Sequence, residues 1–235
     1  MQRKVFVTGT DTEVGKTHVS SLAVTAWRSR GIRVGVYKPV ASDCRRVASE
    51  TDAVENGHRQ AGQRPENTRW YSEDADRLWV AAGKPLTPNE VCPQCFAAPL
   101  APPEAAALEN RKVDEGLLVA GAAAWEPYER LLIEGAGGLM SPVSESMLNL
   151  HLIQRLAPTT VVLVAADRLG VIHQVLSTIA AAEHHGVKID RVVLSRVEST
   201  PDRSVQHNAQ AIRRWTKVPV EDPIQHGQKA YAADW

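Results

Sequence analysis

The stretch VTGTDTEVGKTH, residues 7–18, decides how this chain folds. Its Gly-Lys-Thr ending is typical of a phosphate-binding loop, whose usual pattern is G-x-x-x-x-G-K-[ST]. Here five residues separate Gly9 from Gly15, so the loop is one residue longer than that pattern. An apolar run precedes the loop and a helical pattern follows it, which is the context that a phosphate site needs. We therefore predict a nucleotide site, with Lys16 at the terminal phosphates and Thr17 on Mg²⁺.

The same loop carries Asp11, Thr12 and Glu13, which a site for simple nucleotide hydrolysis does not need. We expect polar side chains here to face the space beyond the γ-phosphate, where a second substrate would bind against the nucleotide. The alternative is that they are solvated or cap the following helix, because Thr and Asp are good N-caps.

The rest of the chain alternates buried strands with helices. Strands are predicted over 5–8, 33–40, 130–134, 159–166 and 192–197, and helices over 16–30, 170–185 and 202–216. This alternation predicts an α/β fold with a doubly wound, mainly parallel sheet and helices on both faces. We expect a single domain over residues 1–235, in which residues 43–104 form a polar excursion with short helices.

Two further segments place charged residues at strand ends, where parallel sheets bind their ligands. Lys38 in YKPVAS is followed by Pro39, which restricts it to extended geometry, so Lys38 is a candidate second cation at the phosphates. Glu134 ends the buried strand of LLIEGAGG, where an acid is costly unless it meets a cation. Glu134 is therefore a candidate Mg²⁺ ligand, and Asp52 in SETDAVE is a weaker one. The alternatives are a solvated edge lysine and a tight turn with a solvated glutamate.

Composition excludes several classes of partner. Lys plus Arg and Asp plus Glu both total 27, so the formal net charge is zero and no nucleic-acid partner is indicated. No apolar run approaches the ~18 residues of a membrane span, and the first residues lack the apolar core of a signal peptide. We expect a protein of the reducing cytoplasm without a membrane partner.

The three cysteines are too few for a disulfide scaffold. Two of them, Cys92 and Cys95, form a C-x-x-C step, which invites zinc or redox chemistry. Because there is no second C-x-x-C and the nearest following histidine is distant, two unrelated cysteines are the favoured interpretation.

These residues resemble those of the dethiobiotin synthetase family. The resemblance rests on VTGTDTEVGKT, on YKPVAS, on Asp52 in its T-D-A step and on EGAGG at 134–138, and it spans residues 4–198. It implies a homodimeric enzyme that uses Mg²⁺ and ATP, with 7,8-diaminopelargonate and CO₂ or bicarbonate as small-molecule substrates. One amine forms a carbamate, ATP phosphorylates it, and the second amine closes a cyclic urea.

The resemblance also implies roles for the matching residues. The implied catalytic residues are Lys38, Lys16 and Thr12, the substrate-binding residues are Thr12, Lys38 and Ser42, and the metal ligands are Thr17, Asp52 and Glu134. The implied nucleotide-binding residues are Glu13, Val14, Gly15, Lys16, Thr17, Glu134, Gly135, Ala136, Gly137, Ser195 and Arg196.

The chain departs from the family pattern at several positions. Asp43 stands where the family commonly has glycine, and Glu104 ends a segment that the family writes S-P-H. Ser195-Arg196-Val197 stands where an N-x-V step is expected at the base-binding end, and Ser195 in place of asparagine predicts a less selective use of nucleotides. Two alternatives remain: a ParA/MinD-type regulatory ATPase, and a nucleotide-binding paralogue without turnover. The first would need a lysine early in the loop, where none precedes Lys16.

Overall fold

The computed structural model describes residues 2–48, 68–200 and 202–235. Their main strands are β1 (Arg3–Gly9), β2 (Val34–Tyr37), β5 (Arg130–Gly138), β6 (Thr160–Ala166) and β7 (Arg191–Ser195). Within these described ranges, the five strands form a parallel sheet in the order β2-β5-β1-β6-β7. A separate antiparallel pair joins β3 (Arg45–Ala48) to β4 (Thr68–Tyr71).

Helices cover the sheet on both faces. They are α1 (Lys16–Ser29), α2 (Glu73–Ala81), α3 (Pro88–Val91), α4 (Pro102–Leu108), α5 (Glu115–Ala120), α6 (Asn149–Leu156), α7 (Val171–His184) and α8 (Asn208–Trp215). Short 3₁₀ turns lie at Gly121–Trp125 and Arg203–Gln206. The crossover from β1 to β2 runs toward one edge of the sheet and that from β6 to β7 runs toward the other. Because such crossovers are right-handed, α1 and α7 lie on opposite faces, and the predicted doubly wound α/β fold is confirmed.

The central strands are buried on both faces, as expected for a covered parallel sheet. All residues of β1 from Val5 to Gly9 are buried, and so are the residues of β6 from Val161 to Ala166. Among the described helices, none has the length and apolar character needed to cross a membrane.

Two predicted elements are shorter than expected. The strand predicted over 33–40 ends at Tyr37, because the next backbone N–H, that of Lys38, donates to Val91 O (2.8 Å) outside the sheet. The helix predicted over 202–216 is broken at His207. Asp202 caps only the 3₁₀ turn, through the N–H of Ser204 (2.6 Å).

The segment 43–104 contains more than the short helices predicted for it. Its described parts include the β3–β4 pair, in which Arg46 lies opposite Trp70 and Arg45 opposite Tyr71. The guanidinium carbons lie 4.5 Å and 4.9 Å from the respective ring centroids. Cross-strand cation–π contacts of this kind help to stabilise a sheet of only two strands.

One buried side chain, Asn149 at the start of α6, holds the glycine-rich end of β5. Its Nδ2 donates to the carbonyls of Ala136 (2.5 Å) and Gly138 (2.8 Å). Gly135 is required for this approach, since a Cβ there would lie 2.5 Å from Asn149 Oδ1. The backbone that leaves β5 therefore has a defined path toward the carboxyl edge of the sheet.

We expect Asn149→Ala to lower the free energy of unfolding by about 1–3 kcal/mol, because the carbonyls of Ala136 and Gly138 lose their hydrogen-bond donor. Urea denaturation would measure this. The matched control is Gln154→Ala, whose amide donates to His185 O (2.8 Å) on the exposed surface and should change stability by less than about 0.5 kcal/mol. Equal losses in the two variants would contradict the role of Asn149.

Candidate active site

The loop between β1 and α1 closes around the ammonium of Lys16. Lys16 Nζ donates to Asp11 O (2.9 Å), and its side chain is buried. Glu13 and Gly15 both have left-handed backbone, with φ of 55° and 90°, so the loop makes two tight turns before α1 begins. Burial, together with the nearby charge of Lys38, lowers the pKa of Lys16 to about 8.

The polar residues of the loop do not cap α1. The N-cap is Gly15, with no side-chain hydrogen bond at that position. Asp11 Oδ1 instead accepts from the backbone N–H of Thr12 (2.7 Å), so it stabilises the loop itself. Helix capping, one of the alternatives for these residues, is thus wrong for α1.

Lys38 and Glu134 form a buried ion pair at the carboxyl edge of the sheet. The parallel register of β2 with β5 pairs Tyr37 with Ile133, so the residues that follow them, Lys38 and Glu134, lie next to each other. Lys38 Nζ lies 2.8 Å from Glu134 Oε1, and the two side chains are 4% and 0% exposed. The alternative interpretations, a solvated lysine and a solvated glutamate, are therefore wrong.

Asp74, in the first turn of α2, completes the ion pair. Its Oδ2 lies 3.0 Å from Lys38 Nζ. Burial alone would lower the pKa of Lys38, but the carboxylates of Glu134 and Asp74 raise it well above its ordinary value. The charge of Lys38 in turn lowers the pKa of Asp74 to about 2. At neutral pH Lys38 is therefore charged and Asp74 is ionised.

Thr17 connects the same two carboxylates through its hydroxyl. We call this group of two carboxylates and one hydroxyl, formed by Asp74, Glu134 and Thr17, the carboxylate cluster. Thr17 Oγ1 lies 2.8 Å from Asp74 Oδ1 and 2.8 Å from Glu134 Oε1. A hydroxyl has a single hydrogen to donate, so it satisfies only one of these oxygens at a time. Glu134 Oε2 is buried and has no hydrogen-bond partner among the described residues. This surplus of acceptor oxygens suits a cation with oxygen ligands.

Sequence reasoning missed Asp74. It assigned the second metal carboxylate to Asp52, which lies outside the residues that the structure describes. The available signal was a second Asp-Ala step, Asp74-Ala75, which follows the helix N-cap Ser72. Without the fold, neither Asp-Ala step could be preferred.

Seven of the predicted site residues line one cavity of ≈ 350 Å³, together with Asp74. Its lining includes Thr12, Glu13, Lys16, Lys38, Ser42, Asp74, Ala136 and Gly137. A second cavity of ≈ 380 Å³ shares Thr12 and Ser42 with the first and continues along Pro99–Pro102. The two cavities together form an elongated cleft that is charged at the Lys38 end and apolar at the Pro99 end.

Ser195 and Arg196 lie on the other side of the loop, at the end of β7. Ser195 is buried against Gly15, where a Cβ would lie 2.5 Å from Ser195 Oγ. Arg196 Nε donates to Asp167 Oδ2 (3.3 Å). These residues are therefore next to the phosphate-binding loop but do not line the cavity of Lys38.

Two predicted residues, and Asp43, which departs from the family pattern, have backbone or packing roles. Val14 is buried in the core, so its backbone is the part that can face a ligand, and Gly135 faces Asn149. Asp43, at the mouth of the cavity, has φ of 56°. The left-handed region favours glycine, which accounts for the family's preference at this position.

The C-x-x-C step brings its two thiols into contact. Cys92 and Cys95 have their sulfurs 3.5 Å apart in the core, and all three cysteines are free. A hydrogen bond to Cys95, together with burial, raises the pKa of Cys44. Within the described ranges, no group of three or more His, Cys, Asp or Glu side chains is arranged to hold a metal ion.

The sheet, the loop and the lysine at its centre define a P-loop nucleotide-binding α/β protein. A family model described as an AAA domain matches residues 3–221. The chain is 44% identical over 225 residues to the ATP-dependent dethiobiotin synthetase BioD of Rhodopirellula baltica, which covers 92% of this chain and 81% of that protein. It is 32% identical to the BioD of Bacillus subtilis, with 93% and 85% covered. The chain therefore belongs to the dethiobiotin synthetase family.

Solved structures with a similar fold include the signal recognition particle receptor FtsY from Elizabethkingia anophelis. The TM-score is 0.51 at 16% identity, with 94% of this chain and 57% of that chain covered. FtsY from Mycoplasma mycoides gives a TM-score of 0.51 at 15% identity, with 99% and 63% covered. The chain spans less than two thirds of these proteins, and the likeness shows the fold alone.

The pKa of Lys16 predicts a pH effect on nucleotide binding. A lysine with a pKa of about 8 loses most of its charge by pH 9, and the neutral amine no longer attracts phosphate. We expect ATP, measured by calorimetry in EDTA, to bind roughly eightfold more weakly at pH 9 than at pH 7.5. Lys16→Met should bind ATP weakly at both pH values. If the affinity of that variant fell by the same factor between pH 7.5 and pH 9, Lys16 would be excluded as the source of the effect.

Proposed function

We propose that this chain converts 7,8-diaminopelargonate, CO₂ and ATP into dethiobiotin, ADP and phosphate. The observation that carries the proposal is the pair of buried ammonium groups, Lys16 and Lys38, which line one cavity beside the carboxylate cluster. Two anions, a carbamate and a triphosphate, must come into contact in this reaction. Fixed cations cancel the repulsion between them, and positioning then supplies most of the rate enhancement.

The reaction proceeds in three steps. One amine of the substrate adds to CO₂ and loses a proton, which gives a carbamate. A carbamate oxygen attacks the γ-phosphorus and ADP leaves, so that a carbamoyl phosphate forms. The second amine then attacks the carbamoyl carbon and loses a proton, phosphate leaves, and the ring closes to a cyclic urea. No strong general base is required if the attacking amine enters neutral.

Lys16 and Lys38 have distinct parts in this scheme. Lys16, held by Asp11 O within the loop, serves the terminal phosphates of the nucleotide. Lys38 serves the carbamate and the γ-phosphate, and because the carboxylates of Glu134 and Asp74 raise its pKa, it is already charged before these anions bind. Thr12 and Ser42, which line both cavities, offer hydroxyls to the polar end of the substrate. The apolar stretch Pro99–Pro102 is suited to its hydrocarbon chain.

The carboxylate cluster fits a magnesium ion. Thr17, Asp74 and Glu134 offer the hard oxygen ligands that Mg²⁺ prefers, and Glu134 Oε2 is a buried acceptor without a protein partner among the described residues. When bound, the ion would supply positive charge to the phosphate oxygens. We assign to Asp74 the role that sequence reasoning gave to Asp52.

A homodimer and a cytoplasmic location complete the proposal. The family resemblance implies the homodimer, and the expectation of a reducing cytoplasm comes from the composition. The paralogue without turnover remains the competing proposal, because Ser195, Arg196 and Asp43 depart from the family pattern.

One assay separates the synthetase from such a paralogue. The protein is incubated with diaminopelargonate, bicarbonate, Mg²⁺ and ATP, and we expect dethiobiotin, ADP and phosphate in equal amounts. ATP binding without any dethiobiotin would favour the paralogue. With CTP or GTP in place of ATP we expect turnover within about tenfold, because Ser195 can make only part of an amide's paired contact. A strict preference for ATP would contradict that part of the proposal.

Paired variants test the assignment of the metal carboxylate. We expect Asp74→Asn to reduce kcat by about 10²-fold or more, because it weakens the hold on the ion that neutralises the phosphates. Asp52→Asn should leave kcat unchanged. Steady-state rates across a Mg²⁺ titration measure both, and the opposite result would return the role to Asp52.

A further inference from the structure

Lys38 binds the same carboxylates that would hold a divalent cation. Its Nζ lies 2.8 Å from Glu134 Oε1 and 3.0 Å from Asp74 Oδ2. Thr17 Oγ1 approaches the same two side chains at 2.8 Å each. The ammonium of Lys38 and the hydroxyl of Thr17 therefore converge on one set of oxygens, and Glu134 Oε1 is contacted by both.

We propose that Lys38 is an exchangeable counter-ion of Asp74 and Glu134. When a divalent cation binds these carboxylates, Lys38 gives up at least one of its two ion pairs, and its ammonium turns to anions in the cavity. The inference rests on the metal role proposed above for the carboxylate cluster, and it adds a second function for Lys38 beyond contact with the reacting groups.

Burial makes the exchange necessary. Glu134 is fully buried, so it requires a cation at all times. Magnesium lies about 2.0–2.1 Å from its oxygen ligands. An ion bound to Glu134, through Oε1 or through the neighbouring Oε2, would therefore lie close to an ammonium that is 2.8 Å from Oε1, beside a fully buried carboxylate. The like charges would repel strongly there, so the two cations do not share both carboxylates.

The cavity provides a second position for the ammonium. Lys38 lines the same cavity as Thr12, Lys16 and Ser42, where the anionic substrates would lie. A bound phosphate or carbamate offers Lys38 new partners, and this releases the carboxylates for the metal. Nucleotide and metal should therefore strengthen each other's binding, and a metal ion alone should bind weakly.

Mn²⁺ without nucleotide is the probe that tests the exchange. Free Mn²⁺ is followed by electron paramagnetic resonance during titration of the wild type, Lys38→Met and Lys16→Met. Lys38→Met keeps the bulk of the side chain but removes the competitor, so it should bind Mn²⁺ about tenfold more tightly or better. Lys16→Met is the matched control, because its ammonium bonds to Asp11 O rather than to a carboxylate, and its gain should be smaller.

Equal or weaker Mn²⁺ binding by Lys38→Met would overturn the proposal. If this variant unfolds without metal, the proposal expects Mn²⁺ to restore its thermal transition by replacing the lost cation, and a lack of rescue would count against it. Lys38→Arg keeps the charge and should bind Mn²⁺ no more tightly than the wild type. Since none of these readouts uses turnover, they separate this inference from the synthetase proposal. Tighter Mn²⁺ binding by Lys38→Met, combined with no dethiobiotin formation by the wild type, would support the exchange and refute the synthetase reaction.

Discussion

The buried ion pair between Lys38 and Glu134 constrains the rest of the structure. Glu134 is fully enclosed, and an unpaired carboxylate there would be strongly unfavourable. Its partner comes from the neighbouring strand, so β2 and β5 must pair in the register that sets Tyr37 beside Ile133. The same strand, β5, pairs with β1 on its other side, which brings the phosphate-binding loop to the pair. One electrostatic requirement thus ties sheet register to the geometry of the site.

Much of the fold and of the candidate site was predictable from the sequence, because the patterns that indicate them are local or repeat along the chain. Apolar runs that alternate with helices led to the parallel sheet, and the carboxyl-end rule for such sheets placed Lys38 and Glu134 together before their contact was known. The loop pattern identified Lys16 and Thr17, whose neighbours are set by the strand–loop–helix connection. The polar loop residues Thr12 and Glu13 were expected at a second substrate, and they line the cavity that would receive one.

The remainder depended on contacts between distant parts of the chain. Asp74 enters the site only because β4 and α2, within the polar excursion, bring it to the carboxyl edge of the sheet, and no periodicity in the sequence shows this. Arg46 and Trp70 stabilise β3 against β4 through a cross-strand contact that neither short segment shows by itself. The helix predicted over 202–216 is broken at His207, and α8 begins at Asn208, whose Nδ2 donates to Asp167 Oδ1 (2.8 Å), a distant partner that the local helical pattern does not show.

The contact between Gly15 and Ser195 has an evolutionary consequence. The phosphate-binding loop rests directly on the end of β7, and a single Cβ at Gly15 would already crowd Ser195 Oγ. A larger residue in place of Ser195 would have to turn its side chain away from the loop or shift the loop itself. The two positions are therefore epistatic. A substitution at one of them changes which residues are tolerated at the other.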